Sequence, residues 1–418
     1  MILQESETKV LVVYTLEPWN HALTYLRYRA PAEALGWKVV AGRDNESVSV
    51  ELVKEADCIL IQRVFPHWRE PYQQIVEAAQ RYRKPLIYEI DDLLIALPPE
   101  HPCVEWYRPV LEDILRGVMD ADRVVVSSKL LKQIFSTFNP DIQIWPAYLP
   151  DTIWTIPEAR SCDSQVVRIG YMGGITHTPD LDSLSQTLQR ILDEWGDKVE
   201  IHLWGCKPSH ELDGQVFIHY LEEKIDYREF VETFSKAQAD IWLAPLTDSI
   251  FNRCKSSIKY WEYAAVGGAG IFSDLEPYQA VVKNGETGYL AKNTEDWYVL
   301  LSKLISDSDI RASIAEQAQN HLMNKGRMSL NLEKWKQIYS IGQPKAKIVE
   351  HSTPFQQAFS RFAQQLIERS VENELVIHNQ QKYIEQLESR NRDLDAILNS
   401  RSWRLVQWIG KLRRLGRS

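Results

Sequence analysis

Cysteine is scarce and scattered. Cys58, Cys103, Cys162, Cys206 and Cys254 are the only five in 418 residues, with no C-x-x-C pair and no histidine at metal-ligand spacing. This excludes a disulfide framework and a zinc site, and it fits a reducing compartment. Long hydrophobic runs are also missing: none approaches the roughly 18 residues of a spanning helix. Glu5, Glu7 and Lys9 precede the first apolar run. Neither a signal peptide nor a transmembrane anchor is therefore expected, and the expected location is the cytoplasm. Positive charge is not in surplus either. The formal net charge is −9, which disfavours general nucleic-acid binding, because a polyanion needs a basic face. Residues 401–418 stand apart, with six Arg or Lys and no acid, so that everything before them carries about −15.

What is present is enough apolar material for two domains of ordinary size plus an appendage, with 44% hydrophobic residues. The 14 tryptophans suit either core packing or the stacking of sugars and bases. Val10 to Tyr14 is a continuous aliphatic run, the pattern of a strand buried on both faces of a parallel sheet. YLRYRAPAEAL follows as a helical stretch closed by Gly36, and Lys38 to Ala41 resumes the strand pattern. Further strands are expected at 58–62, 85–90, 123–127 and 142–145, with helices at 72–82, 104–119 and 129–138 between them. This βαβ series predicts a doubly wound first domain over residues 1–150. A proline-marked linker spans 146–164. The alternation then restarts at Val166 and runs to about 340, with strands at 166–172, 199–204, 216–219 and 241–246.

Residues 341–360 read as a second linker. The stretch 362–400 is a Gly-free, Pro-free helical segment up to 398 that places Ile377, Ile384, Leu387, Leu394 and Leu398 at a and d positions. That spacing predicts a coiled coil, hence a possible homo-oligomer, with a solitary solvated helix as the other reading. Residues 401–418 read as a basic, Trp-bearing amphipathic helix suited to an anionic membrane surface, or to docking on the protein's own body or a partner.

The most informative stretch is DIWLAPLTDSIFNRCKSSIKYWEYAAVGGAGIFSD, residues 240–274. A short apolar strand gives way to a polar loop carrying Asn252, Arg253, Cys254 and Lys255. Ser256 or Ser257 is the expected N-cap of a helix that Gly267 and Gly268 terminate. Free amide N–H groups, the positive helix end, Lys255 and Lys259 would gather there around an anion. Glu262, one turn on, would accept hydrogen bonds from hydroxyls of the same ligand. A plain solvated helix start with a Lys259–Glu262 ion pair fits the same residues.

The stretches GYMGGITHTPDLDSL, residues 240–274 and NGETGYLAKNTEDWYVLLSKLISDSDIRASIAEQA together resemble the donor domain of family-4-like ("group 1") glycosyltransferases, covering residues 166–340. RYRAPAEAL and YEIDDLLIALPPEHP are similar to members of the polysaccharide and O-antigen assembly branch. The resemblance implies the GT-B fold class: α/β, two Rossmann-like domains facing a cleft, here followed by a helical or coiled-coil extension. It implies a nucleoside-diphosphate sugar as donor, a glycan or lipid-linked acceptor, no cofactor, no metal, and retention at the anomeric carbon. Carried over residue by residue, Gly173 and Gly174 would let the backbone approach the leaving phosphate. Lys255 would neutralise the diphosphate, Ser256 would cap the helix, and Glu262 would bind the ribose. Two departures stand out. The first acid of the family's Glu-x7-Glu pair falls on Cys254, and the Arg and Lys that usually follow the glycine turn are missing, with His177 near the place of that Lys. Lys255, Arg253 or Lys259 must then supply the positive charge.

Asp91 and Asp92 follow the strand 86–90 and should face the crevice at its carboxyl end. They are candidates to activate the acceptor hydroxyl as general base. A magnesium site and a turn-capping role are the other readings. Glu17 to His21 should face the same crevice, and Glu89 and His101 are weaker candidates. A non-catalytic scaffold tethered through coiled coil and tail is the alternative function, and a nucleotide-sugar epimerase a third.

Overall fold

The computed structural model describes residues 8–44, 47–156, 166–219, 226–342 and 344. The coiled-coil stretch 362–400 and the basic tail 401–418 lie outside the described residues.

Two six-stranded sheets form, each parallel throughout. The first comprises β1 (Val10–Tyr14), β2 (Lys38–Ala41), β3 (Cys58–Gln62), β4 (Leu86–Ile90), β5 (Arg123–Val126) and β6 (Ile142–Ile144), in the order β2-β1-β3-β4-β5-β6. The second comprises β7 (Val167–Met172), β8 (Val199–Trp204), β9 (Val216–His219), β10 (Ile241–Ala244), β11 (Ala269–Ser273) and β12 (Tyr289–Ala291), in the order β12-β11-β10-β7-β8-β9. β3, β4 and β11 are buried along their whole length, which is why, apart from Gln62, Glu89 and Ser273, they read as apolar runs rather than alternating ones. The strand order reverses between β1 and β3 in the first sheet and between β7 and β10 in the second. Loops leaving adjacent strands in opposite directions open a crevice at such a point.

Several helices differ from their sequence-based expectation. The expected 104–119 helix is split, with a 3-10 turn at Arg108–Val110 between Val104–Tyr107 and Leu111–Asp120, where Pro109 enters. The 25–35 stretch contains a π turn, Tyr25–Arg29, followed by the helix Ala30–Ala34. Pro31 has no N–H to offer the Arg27 carbonyl one helical turn earlier. The Trp335 indole takes its place, donating to that carbonyl at 3.2 Å. Trp335 lies in the last described helix, Leu332–Tyr339, which packs with Trp37 and Trp145 in the first domain's core. The chain thus crosses back after the second sheet. Leu149 and Met328 pair at the double crossover, with Leu149 N–H donating to Gly326 O at 2.9 Å and Met328 N–H to Leu149 O at 2.8 Å. Three tryptophans, Trp145, Trp242 and Trp335, are fully buried and serve as core.

Candidate active site

On the second domain, the loops after β7 and β10 flank the switch point. Gly173 donates its N–H to Trp204 O at 3.0 Å. A Cβ there would overlap the Tyr171 hydroxyl and come 3.1 Å from Lys259 Nζ, so a larger residue forces one of those side chains to shift. Gly174 is exposed with open space beside it, and glycine is not demanded there by packing.

The expected polar loop after β10 contains a helical turn, Ile250–Arg253, capped by Ser249, which accepts from Asn252 N–H. The following helix runs Ile258–Val266 and ends at Gly267 in the left-handed region, φ 80°. Its N-cap position is Ser257, and no side chain caps it. The expected capping by Ser256 or Ser257 is therefore not made, and the first-turn N–H groups lack a side-chain acceptor. Asn252 and Arg253 are held away from the ligand space. Asn252 is buried and donates to Asp180 Oδ1 and Thr247 O, both at 2.9 Å. Arg253 is clamped between Asp248 at 2.6 Å and Glu276 at 2.8 Å. Cys254 is fully buried, and its carbonyl accepts from Ser128 Oγ at 2.9 Å across the cleft.

Lys259 and Glu262 are both buried and do not pair directly, in contrast to the solvated ion pair that fitted the sequence equally well. Lys259 Nζ lies 3.5 Å from the Tyr171 hydroxyl, and burial pushes its pKa down to about 8, with Lys255 adding to the effect. Glu262 accepts from the Tyr227 hydroxyl at 3.3 Å, and burial pushes its carboxyl up to about 8. His177 contacts Asp180 at 2.9 Å, and burial together with Lys259 and Lys255 lowers its pKa to about 3. Lys255 is half-buried, with its ammonium 4.7 Å over the Phe251 ring. Lys255 and Lys259 thus gather with His177 around Asp180, and buried groups with displaced pKa values in a cleft mark a candidate functional site.

Asp180 organises this wall and was not among the sequence-stated candidates. It accepts from Thr247 N–H at 2.8 Å, Thr247 Oγ1 at 3.0 Å and Asn252 Nδ2 at 2.9 Å. Burial opposes ionisation, but hydrogen bonds from His177 and Thr247 hold the carboxyl below its ordinary range.

The first domain supplies the facing wall. Asp91 is bound by Arg63 Nη1 at 2.8 Å, and Asp92 is 3.9 Å from the same nitrogen. A guanidinium therefore stands where a metal shared by the two carboxylates would sit. Burial and Asp91 raise the Asp92 pKa. Arg63 itself adopts φ 50°, outside ordinary non-glycine backbone, and its Nε lies 3.3 Å from Glu17. Glu89 is fully buried beneath the crevice, 2.5 Å from Arg27 Nε, and also accepts from Gln62 Nε2 at 2.9 Å. His101 packs edge-on to Phe251 of the other domain, and burial lowers its pKa to about 4.

Between these walls lies a cavity of about 510 Å³, a size suited to a nucleotide-sized ligand. Gly173, Gly174, His177, Ser256, Lys259 and Glu262 line one side, and His21, Arg27, Asp91 and Ser127 line the other. Asp92, Asn252, Arg253 and Lys255 do not line it.

A scan against protein-family models gives no match, and a search of curated proteins finds no similar sequence. Solved structures do match. Sucrose-phosphate synthase from Thermosynechococcus elongatus aligns with a TM-score of 0.55 at 11% identity, over 79% of this chain and 98% of that one. Anabaena HepE in complex with UDP-glucose aligns with a TM-score of 0.53 at 14% identity, over 80% of this chain and 100% of its own. The TarM structure aligns with a TM-score of 0.51 at 11% identity, over 71% of this chain. These structural neighbours are GT-B glycosyltransferases. The fold is GT-B. The chain spans only 59% of the length of TarM. In GT-B terms, the cavity lies in the cleft between the two Rossmann-like domains, at the carboxyl ends of both sheets.

Proposed function

We propose that the protein is a glycosyltransferase that moves a sugar from a nucleoside-diphosphate sugar to a glycan or glycolipid acceptor in cell-surface polysaccharide synthesis. One observation carries this reading. A single cavity is walled on one side by Gly173, the uncapped start of the Ile258–Val266 helix, Lys259 and Glu262, and on the other by Asp91. The solved complex of HepE with UDP-glucose supports a donor of that class for this fold.

The diphosphate lies against Gly173 and the first-turn amides, with Lys259 and nearby Lys255 neutralising it. A dianion beside Lys259 restores the protonated form that burial disfavours. Glu262 accepts hydrogen bonds from the ribose hydroxyls through its carboxyl oxygens, and those bonds favour the ionised form that burial disfavours. As the bond between the anomeric carbon and the phosphate oxygen breaks, the lysines hold the departing charge, as fixed dipoles and cations do in other transfer sites. An acceptor oxygen bonds to the anomeric carbon, and its proton passes to Asp91 or to the departing phosphate. Arg63 keeps Asp91 oriented. Retention and metal independence belong to the same proposal: the lysines stand in for a divalent cation.

The test is a screen of common nucleotide sugars for transfer or hydrolysis, with the anomeric configuration of the product read by NMR and EDTA present in a parallel arm. Turnover of no donor would leave the scaffold reading, and conversion of free donor without an acceptor would indicate an epimerase. The basic tail is proposed to hold the enzyme at an anionic membrane; deletion of residues 401–418 should release it from anionic liposomes, and unchanged binding would refute that role.

A further inference from the structure

A second cavity, of about 750 Å³, opens beside the first, and Ser127 and Ser256 belong to the walls of both. Its lining is basic and comes from both domains. Lys129 starts the Lys129–Phe135 helix, Lys255 precedes the Ile258–Val266 helix, and Lys325 and Lys334 come from the stretch that crosses back. Glu276 is the one carboxylate among the described lining residues, and both its oxygens accept from Arg253, at 2.8 and 3.0 Å. The other side of that guanidinium is taken by Asp248. The lysine ion pairs among the described residues are those of Lys236, Lys283, Lys292 and Lys336, none of which lines the cavity. Partial burial lowers the Lys334 pKa.

A chain of net charge −9 therefore gathers four ammonium groups around one cavity, of which Lys129, Lys325 and Lys334 have no ion pair among the described residues and Lys255 faces Asp92 and Asp180. Lys129, Lys325 and Lys334 are exposed, so solvent screens their repulsion, but together they raise the local potential in favour of an anion. Compact point charges on flexible stems suit a phosphate approached from several directions, rather than the planar bidentate grip that arginine gives.

We infer that this second cavity binds a phosphate-bearing ligand at the same time as a nucleotide occupies the first. Resting on the glycosyl-transfer reading above, the ligand is the acceptor. Its phosphoryl end sits among Lys129, Lys325 and Lys334, and its sugar reaches past the shared Ser127 and Ser256 wall toward the donor. The phosphate belongs either to a soluble phosphorylated glycan or to a lipid-linked one.

The test uses the full chain saturated with UDP and titrated with inorganic tripolyphosphate by calorimetry. One further site is expected, weakening steeply as salt rises. Lys129→Glu/Lys334→Glu should weaken it about tenfold or more while leaving UDP affinity within about twofold. Lys325→Glu alone, on an exposed side chain, should weaken it in the same direction and guards against a folding artefact. No uptake by the UDP-loaded protein, or equal uptake by these variants, overturns the proposal. If UDP does not bind at all, the donor reading fails. Tripolyphosphate titrated into Lys259→Ala without nucleotide then still tests the second site. Co-sedimentation with phosphatidylcholine vesicles, with and without phosphatidic acid, separates the sources when run on protein lacking residues 401–418, which would otherwise bind the anionic vesicles themselves. Loss of vesicle binding in the variants assigns a lipid-borne phosphate, and loss of tripolyphosphate binding alone assigns a soluble one.

Discussion

Glu262→Gln should make the protein more stable and worse at binding nucleotide. In the unfolded chain Glu262 ionises near its ordinary 4.5, whereas in the folded protein burial holds that pKa at about 8. Between those values the native state binds more protons than the unfolded one, so stability falls as pH rises through the window. A displacement of this size corresponds to about 4–5 kcal/mol at its upper limit. Relaxation around the ionised group, and the polar amide that replaces it, should leave about 1–3 kcal/mol to be measured. Glutamine cannot ionise and escapes the decline. The expected result is a melting temperature for Glu262→Gln close to wild type at pH 5 and a few degrees above it at pH 8.5, in the absence of ligand. Nucleotide affinity should move the other way. Losing a carboxylate that accepts from two hydroxyls should cost about tenfold or more. Melting curves that stay parallel across this pH range, or an unchanged nucleotide affinity, would refute the reasoning.

Other perturbations follow from the same geometry. Gly173→Ala forces Tyr171 or Lys259 to move and should cost about 1–3 kcal/mol of stability with a loss of nucleotide binding, whereas Gly174→Ala should fold like wild type; thermal melts distinguish them. Arg27→Met leaves Glu89 buried without its partner and should destabilise by about 3–5 kcal/mol in denaturant unfolding. Asp180→Ala orphans the Thr247 amide and removes one of the acceptors of Asn252, and should cost about 1–3 kcal/mol and loosen the donor wall, read as weaker nucleotide binding and faster hydrogen exchange at residues 247–255.

Much of the architecture was legible because it is local. Buried parallel strands such as Cys58–Gln62 are continuous apolar runs, and Gly267 ends its helix in the left-handed conformation that glycine favours. The anion-favouring start of the Ile258–Val266 helix and the place of Glu262 on it also follow from spacing along the chain. What stayed hidden depends on distant partners. Nothing near Asp180 indicates that Thr247 and Asn252 will donate to it from 67 and 72 residues away. Arg63 gave no signal that it would hold Asp91, nor Trp335 that it would supply the hydrogen bond Pro31 cannot make. The polar stretch that carries Asn252 and Arg253 reads as a ligand-facing loop, but it folds into the Ile250–Arg253 turn, which directs them to Asp180, Asp248 and Glu276.

The central claim is that Lys259 and Glu262 form one nucleotide-diphosphate site with the Gly173 turn, and calorimetric titration of UDP, GDP and ADP into wild type, Lys259→Ala and Glu262→Ala tests it most directly. At least one nucleotide should bind wild type with 1:1 stoichiometry and lose about tenfold or more in each variant. No binding by any of the three, or wild-type affinity retained in either variant, would contradict it.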